Sequence, residues 1–528
     1  MNDIESLIVL VAIAAALVRL ADLVSIPYPI VLVLGGLGIG FLPGGPQLEL
    51  DPDVVFLVFL PPLLQSAGYL ASARELRAEI VPLSWLVVGL SLATMGCVAA
   101  VAQAAIPSLD WYEGLVLGAI VAPTDPVSAI AVFDRVGVPD RLATLVEGES
   151  MINDAVGLVA YKVALAAVVS GGFSTSEAVD DLVLGVAGGI AIGLAVSWSV
   201  GRALRRLDDP ALTTLLTVFT AYAVFALADG IGASGILAAV TSGLYSGWRS
   251  NEILDADMRL NAQAFWRVLV LALEAILFVL VGLQFPEILR RVGEQFSVGE
   301  IIGYGLLVSA VVVVVRVLWQ FLPAALGRIA TPLGVLSSGE NWRENLLVGW
   351  SGMRGAVSLA AALALPFTLD SGAPFASRDL IIYLTVAVIL VTLVGQGLSL
   401  PFVVRWLRLG RHEAWAADEA VARLAAAQAA LDRLEEIEAT EPGIPETAVH
   451  RLREIYQARF ARCAAALSGE GGDIPIEDPL TGFRQTRQRL IDAERGTLLR
   501  LRNEGRLKQD LFRRIQADLD LDETRLRA

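Results

Sequence analysis

Apolar runs long enough to cross roughly 30 Å of hydrocarbon recur from residue 4 to about residue 408, separated by short connections that carry Arg, Gly or Pro. Such a chain has few folds open to it. Inside hydrocarbon every backbone N–H and C=O must be bonded within the protein, so the runs read as helices packed into a bundle. The composition agrees with a membrane as the solvent: 55% of the 528 residues are hydrophobic and only 18% charged, and the mean hydropathy is +0.64.

Thirteen spans are expected, roughly at 4–24, 27–42, 51–70, 80–105, 111–133, 141–170, 178–204, 211–229, 232–248, 258–284, 298–327, 343–366 and 379–407. Alternate connections hold most of the arginines: Arg19, Arg74, Arg77, Arg135, Arg141, Arg202, Arg205, Arg206, Arg249, Arg259, Arg328, Arg343, Arg405, Arg408 and Arg411, against Arg290, Arg291 and Arg378 on the other side. By the positive-inside rule the first set is cytoplasmic, which puts the N-terminus outside and the C-terminus inside. Spans 1–6 and 8–13 then form two units of opposite orientation, the parity of an inverted repeat.

Near Gly410 the composition changes. Residues 1–409 form the expected membrane domain; residues 410–528, rich in Glu, Arg, Gln, Ala and Leu at helical spacing, should form a soluble, cytoplasmic helical tail. The fold class expected is therefore an all-α polytopic membrane protein with inverted repeats and a helical tail. Acidic residues precede the first apolar run in place of a basic n-region, so that run reads as a span and not as a cleaved signal.

Several functions are disfavoured at once. The formal charge of −15 speaks against nucleic acid. Cys97 and Cys463 fall in different regions, and His412 and His450 both follow the last apolar run, so neither a disulfide framework nor a histidine or thiolate metal centre is expected in the membrane. No Walker loop, nucleophile elbow or zinc motif occurs, which leaves an existing ion gradient as the driving force and calls for no cofactor. The Gly-rich stretch at Gly35–Gly40 lies inside an apolar run with no strand before it and reads as a close helix contact.

Helix breakers and charges mark the candidate site. Span 5 is interrupted by Ala122-Pro123-Thr124-Asp125-Pro126 and span 12 by Ser351-Gly352-Met353-Arg354-Gly355, each the fifth helix of its unit. Breaks in corresponding spans of two halves point to a midplane site, because unwound backbone is tolerated only where it lines a cavity or is buried in protein. An ionisable side chain near the bilayer centre costs about 3 kcal/mol, so each needs a partner or a purpose. Asp125, Glu149, Asp154 and Arg354 are such residues. On a helix Ser150 and Asp154 are four apart, as are Glu149 and Asn153, giving two adjacent polar faces.

A small hard cation wants oxygen ligands, and the Asp154 carboxylate, the Ser150 hydroxyl and a free carbonyl at Thr124 would supply them. Each residue also has a bland reading. The Pro-Thr-Asp-Pro run alone reads as a kink whose Asp125 caps the next half-helix. Asp154 alone could be a buried carboxylate neutralised by Arg354 or Lys162, although Glu149 is the better-placed partner for Arg354. Glu274 and Arg316, also inside apolar runs, could form a structural ion pair, Asp229 falls at a span end, and Lys162 could reach outward.

Five stretches, taken together, resemble the monovalent cation/proton antiporter-1 family of bacterial sodium/proton antiporters and animal sodium/hydrogen exchangers. They are Leu60-Pro61-Pro62-Leu63-Leu64, Ala122-Pro123-Thr124-Asp125-Pro126-Val127, Gly148-Glu149-Ser150 with Asn153-Asp154-Ala155, Phe278-Val279-Leu280-Val281-Gly282-Leu283 and Gly352-Met353-Arg354-Gly355-Ala356. The resemblance implies a 13-helix fold in which a six-helix core moves against a dimerisation domain, and a homodimer in the cell membrane. It also implies that Asp154 carries Na+ and H+ with help from Ser150 and Thr124, beside Asp125 and Asn153, while Glu149 pairs with Arg354. The sequence departs from the family at Gln65-Ser66, where relatives often have an acidic residue, which weakens the cation preference inferred from them.

The function expected is exchange of Na+, with Li+ as a further candidate, for H+ by competition at one carboxylate. Because position 153 is a neutral Asn, exchange should be electroneutral. Potassium/proton exchange on the same fold is the nearest alternative, and a membrane sensor signalling through the tail is the rival of another class.

Overall fold

The computed structural model describes residues 3–24, 26–42, 51–70, 73–170, 175–207, 209–330, 342–409, 413–440 and 445–468, with scattered positions from 490 onward. The chain divides into two compact units, Met1–Arg411 and His412–Ala528.

The first unit is built of helices. The first four are α1 (Asp3–Val24), α2 (Tyr28–Gly40), α3 (Pro52–Leu70) and α4 (Ala73–Ala105). The fifth expected span is a pair, α5 (Trp111–Val121) and α6 (Val127–Val136), followed by α7 (Asp140–Ser170), α8 (Thr175–Leu204), α9 (Pro210–Gly230), α10 (Gly235–Ile253), α11 (Ala256–Gly293) and α12 (Val298–Ala330). The twelfth is again a pair, α13 (Trp342–Trp350) and α14 (Ala356–Leu363), and the last run is α15 (Arg378–Leu390), a π-helical turn (Val391–Gln396) and α16 (Gly397–Leu407). Seven of these stretches are long and apolar enough to cross a membrane on that ground alone.

Local chemistry explains many of the ends. Asp110 accepts the Glu113 amide while Glu113 reaches back to the Asp110 amide, a capping box that starts α5. Asp209 caps α9 just before Pro210, and Ser234 caps α10. Gly137, at φ 76°, closes α6 in the left-handed region. Pro61 and Pro62 lie inside α3. Pro62 cannot donate to the Val58 carbonyl four residues back, and the Tyr222 hydroxyl on α9 donates to it at 3.2 Å.

Small residues let helices touch backbone to backbone. A Cβ at Gly36 of α2 would stand 2.9 Å from the Val279 carbonyl of α11, and one at Gly118 of α5 would stand 2.6 Å from the Met95 carbonyl of α4. The Gly-rich stretch of α2 is thus a packing surface. Two clusters result: α2 lies on α1 and α11, with α3 on α10 and α8 on α9 and α10, while α4 lies on α5 and α7, with α12 on α4, α13 and α15. Large apolar side chains such as Trp198, Phe219 and Phe402 face outward, as a protein solvated by lipid requires.

In the second unit α17 (Glu413–Thr440) and α18 (Glu446–Ser468) pack on each other, with Arg453 paired to Glu438 and Ala427, Leu434 and Val449 buried. Cys97 is exposed on α4, while His412 and the Cys463 side chain lie outside the described residues.

Candidate functional site

The two helix breaks meet. The Asp125 amide donates to the Met353 carbonyl at 2.7 Å, and Arg354 Nε donates to the Val121 carbonyl, the last of α5, at 2.9 Å. A second arginine, Arg316 of α12, donates through Nη2 to the Val348 carbonyl in the last turn of α13 at 3.2 Å. Each guanidinium therefore sits at the negative end of a half-helix and takes carbonyls that the break leaves without an amide partner. At the opposite pole, Asp125 Oδ1 accepts the Val127 amide, the first of α6, at 2.9 Å.

The Gly-x-x-Gly spacing of the second break follows from this closeness. A Cβ on Gly355 would collide with the Asp125 carboxyl group, and one on Gly352 would collide with the Arg316 guanidinium. The Arg354 amide is anchored on the Thr392 hydroxyl of the π-helical turn at 3.1 Å.

One expectation is corrected here. Glu149 was expected to pair with Arg354, but its carboxylate is held by Arg316, Nη1 to Oε1 at 2.5 Å and Nη2 to Oε2 at 3.2 Å. Arg354 spends its donors on the carbonyls of Val121 and Gly352. The physical reason is placement: α12 packs along α4 and α13 and brings Arg316 against α7, whereas Arg354 is turned into the gap between the broken half-helices. The suggested pairing of Arg316 with Glu274 fails for the same reason. Lys162 is not a partner of Asp154 either; it pairs with Asp229 at 2.6 Å and lies over the Phe56 ring.

Beside the breaks is a cavity of about 200 Å³ whose lining includes Ser66, Thr124, Asp125, Ser150, Asp154 and Glu274. Asp154 is 7% exposed, and its Oδ1 has no hydrogen-bond partner among the described residues; Asp125 Oδ2 and Ser358 Oγ, on the same walls, have none either. Ser150 Oγ donates to the Thr124 carbonyl, so these two expected ligands lie in direct contact. The cavity thus gathers carboxylate, hydroxyl and main-chain oxygens, the donor set a hard monovalent cation takes.

Asn153 departs from the group. Its amide donates to the Ala122 carbonyl at 3.0 Å and its oxygen accepts from Ser91 Oγ at 2.5 Å, so both ends are spent on holding α7 to the break and to α4. It is not among the cavity residues. Of the pair that replaces the expected acid, Ser66 lines the cavity, whereas Gln65 donates to the Thr217 carbonyl on α9 at 3.0 Å.

Sequence reasoning missed three contributors: Arg316 as the partner of Glu149, Ser91 as the partner of Asn153, and Tyr28, which donates to Glu274 Oε2 at 2.5 Å. Arg316 carried a signal, being the charge in the middle of the run at 298–327. A hydroxyl at the start of a span carries none.

The fold and the sequence have counterparts among known proteins. A solved structure, that of the sodium proton antiporter MjNhaP1 from Methanocaldococcus jannaschii at pH 8, shares the fold with a TM-score of 0.62 at 23% identity, over 78% of this chain and all (100%) of that one. An uncharacterised Na+/H+ exchanger of Mycobacterium tuberculosis is 34% identical over 529 aligned positions, covering 98% of this chain and 96% of the relative. A sodium, potassium, lithium and rubidium/H+ antiporter of Bacillus pumilus is 35% identical over 387, covering 72% of this chain and 58% of the relative. The model of the family described as sodium/hydrogen exchanger, transmembrane, matches residues 7–406. The chain therefore belongs to the sodium/hydrogen exchanger family, multi-pass cation/proton antiporters that are transporters, not enzymes, and use no cofactor.

Proposed function

We propose that this antiporter exchanges Na+ for H+ one for one across the bacterial cell membrane, with Asp154 as the group that takes either ion. The observation that carries the reading is the Asp154 carboxylate, one oxygen of which has no hydrogen-bond partner among the described residues, on the wall of a cavity it lines together with Ser150 and Thr124. Na+ is the substrate here: Asp154 Oδ1, the Ser150 hydroxyl and the Thr124 carbonyl are its ligands, and Asp125 stabilises the charge nearby.

A buried carboxylate that crosses the membrane barrier only when neutralised by H+ or by Na+ gives obligate exchange through alternating access. Asn153 adds no second charge, so the cycle moves no net charge. The cluster of α4, α5 and α7 with α12 to α16 is the moving core, and α1 to α3 with α8 to α11 form the dimerisation domain of a homodimer. Residues 1–409 span the membrane with the N-terminus outside, and residues 410–528 form a cytoplasmic tail.

The test is purified protein in liposomes with an internal pH dye, pulsed with Na+, Li+ and K+. Sustained Na+-driven proton flux in wild type and none in well-folded Asp154→Asn is expected; flux in the Asn variant sinks the assignment. Two observations favour a second reading, exchange of K+ as well: the acid often found in relatives is Ser66 here, and the Bacillus pumilus relative is named for four cations. A K+ pulse equal in effect to Na+ would establish it. A sensor would show tail rearrangement without sustained flux.

A further inference from the structure

Glu274 sits at the middle of α11, on the helix cluster that does not carry Asp154, and is 5% exposed. No cation among the described residues pairs with it; Tyr28 donates to its Oε2 at 2.5 Å. It lines the same cavity as Asp154. A carboxylate kept at this depth without a basic partner is costly, and a neutral side chain would serve equally well as an acceptor for Tyr28. A carboxyl group at this depth has a use only when something that enters the cavity calls on its charge. Three further buried oxygens, Asp154 Oδ1, Asp125 Oδ2 and Ser358 Oγ, belong to residues that line the same cavity and have no hydrogen-bond partner among the described residues, which favours the cavity as a place for a cation.

On this basis, and resting on the reading of Asp154 above, we propose that Glu274, positioned by Tyr28, is a further carboxylate of the ion pathway, beside Asp154 and Asp125, that draws the cation into the cavity from the wall facing the moving core and sets how much cation half-saturates transport. It takes the place left neutral by Ser66: the acidic group reaches the cavity from α11 instead of α3. A cleft lined by one sign of charge and walled by apolar groups concentrates the counter-ion, and removal of that charge lowers local cation concentration without touching the carrier.

The experiment compares Glu274→Gln with Glu274→Asp in liposomes. Gln keeps the length and the oxygen that accepts from Tyr28 but loses the charge; Asp keeps the charge but shortens the reach. The Na+ concentration giving half-maximal flux should rise about tenfold or more in Glu274→Gln at nearly unchanged maximal rate, and stay within about threefold of wild type in Glu274→Asp. The same ordering should appear, independent of flux, in the Na+ concentration that half-stabilises each protein against heat in detergent. A wild-type response in Glu274→Gln, a larger defect in Glu274→Asp than in Glu274→Gln, or loss of folding in the Gln variant alone would each overturn the proposal, since each assigns Glu274 a structural task or none. Asp154→Asn, run alongside, separates the two readings: flux there defeats the carrier assignment, whereas a dead Asp154→Asn with an unaltered Glu274→Gln defeats only the role of Glu274.

Discussion

Arg316 closes on the carboxylate of Glu149 with both terminal nitrogens, at 2.5 and 3.2 Å, and both side chains are out of reach of solvent, at 1% and 0% exposure. Removing one partner of such a pair leaves the other charge buried and alone, at a cost of about 3–5 kcal/mol. Arg316→Ala should therefore unfold in detergent well below wild type. Arg354→Ala leaves Glu149 paired and frees only carbonyls, about 1–3 kcal/mol. Melting temperatures that rank the two variants the other way would mean that Arg354 is the principal partner of Glu149.

Competition at Asp154 has a sign that can be measured. If H+ and Na+ exclude each other from one carboxylate, lowering the pH fills the site with protons, so the Na+ concentration for half-maximal flux must rise as pH falls while the maximal rate at saturating Na+ changes little. Flux measured at three or more pH values decides this. A half-maximal concentration that does not move with pH is incompatible with a shared site.

Gly355 touches the Asp125 carboxyl group so closely that no Cβ fits. Gly355→Ala must push the two breaks apart, and overpacking of this kind costs about 1–3 kcal/mol. Because Asp125 also accepts the first amide of α6 and lines the cavity, the variant should lose cation-dependent heat stabilisation as well as stability. Gly303, around which a Cβ would meet nothing, is the control, and Gly303→Ala should behave as wild type in both measurements.

Asn153→Asp tests whether a second carboxylate beside Asp154 makes the exchange respond to voltage. In wild type the Asn153 amide donates to the Ala122 carbonyl, and a carboxylate there would face that oxygen with no proton to offer. The added group should hold a proton against Ala122 permanently, so Na+-driven flux should remain indifferent to an imposed potassium diffusion potential. Voltage dependence absent from wild type would show that the proton is carried.

The helices and both breaks were legible because apolar runs and Pro or Gly within them have few alternatives in a membrane. Ser150 and Asp154 were legible as a pair, since one turn of helix puts both on one face. The partner of Glu149 was not. A buried carboxylate needs a cation, but the choice between Arg316 and Arg354 is made by how α12 lies against α4 and α13, a tertiary fact with no local signature. Asn153 misled for a related reason: its neutrality was readable, but its Ser91 partner is 62 residues away.

The Gly36 contact with α11 has a mechanical consequence. Where main chain meets main chain there are no rotamers to yield, and a Cβ on Gly282 would run into the Gly36 backbone in turn. A seam of this kind resists sliding and twisting, so α2 and α11 behave as one stiff plank that holds Tyr28 and Glu274 in a fixed relation. Compliance has to be found elsewhere, at joints made of long side chains. Lys162 and Asp229 form such a joint: a half-exposed ion pair from α7 to the end of α9, held by a long side chain that can let go and close again without any backbone having to move.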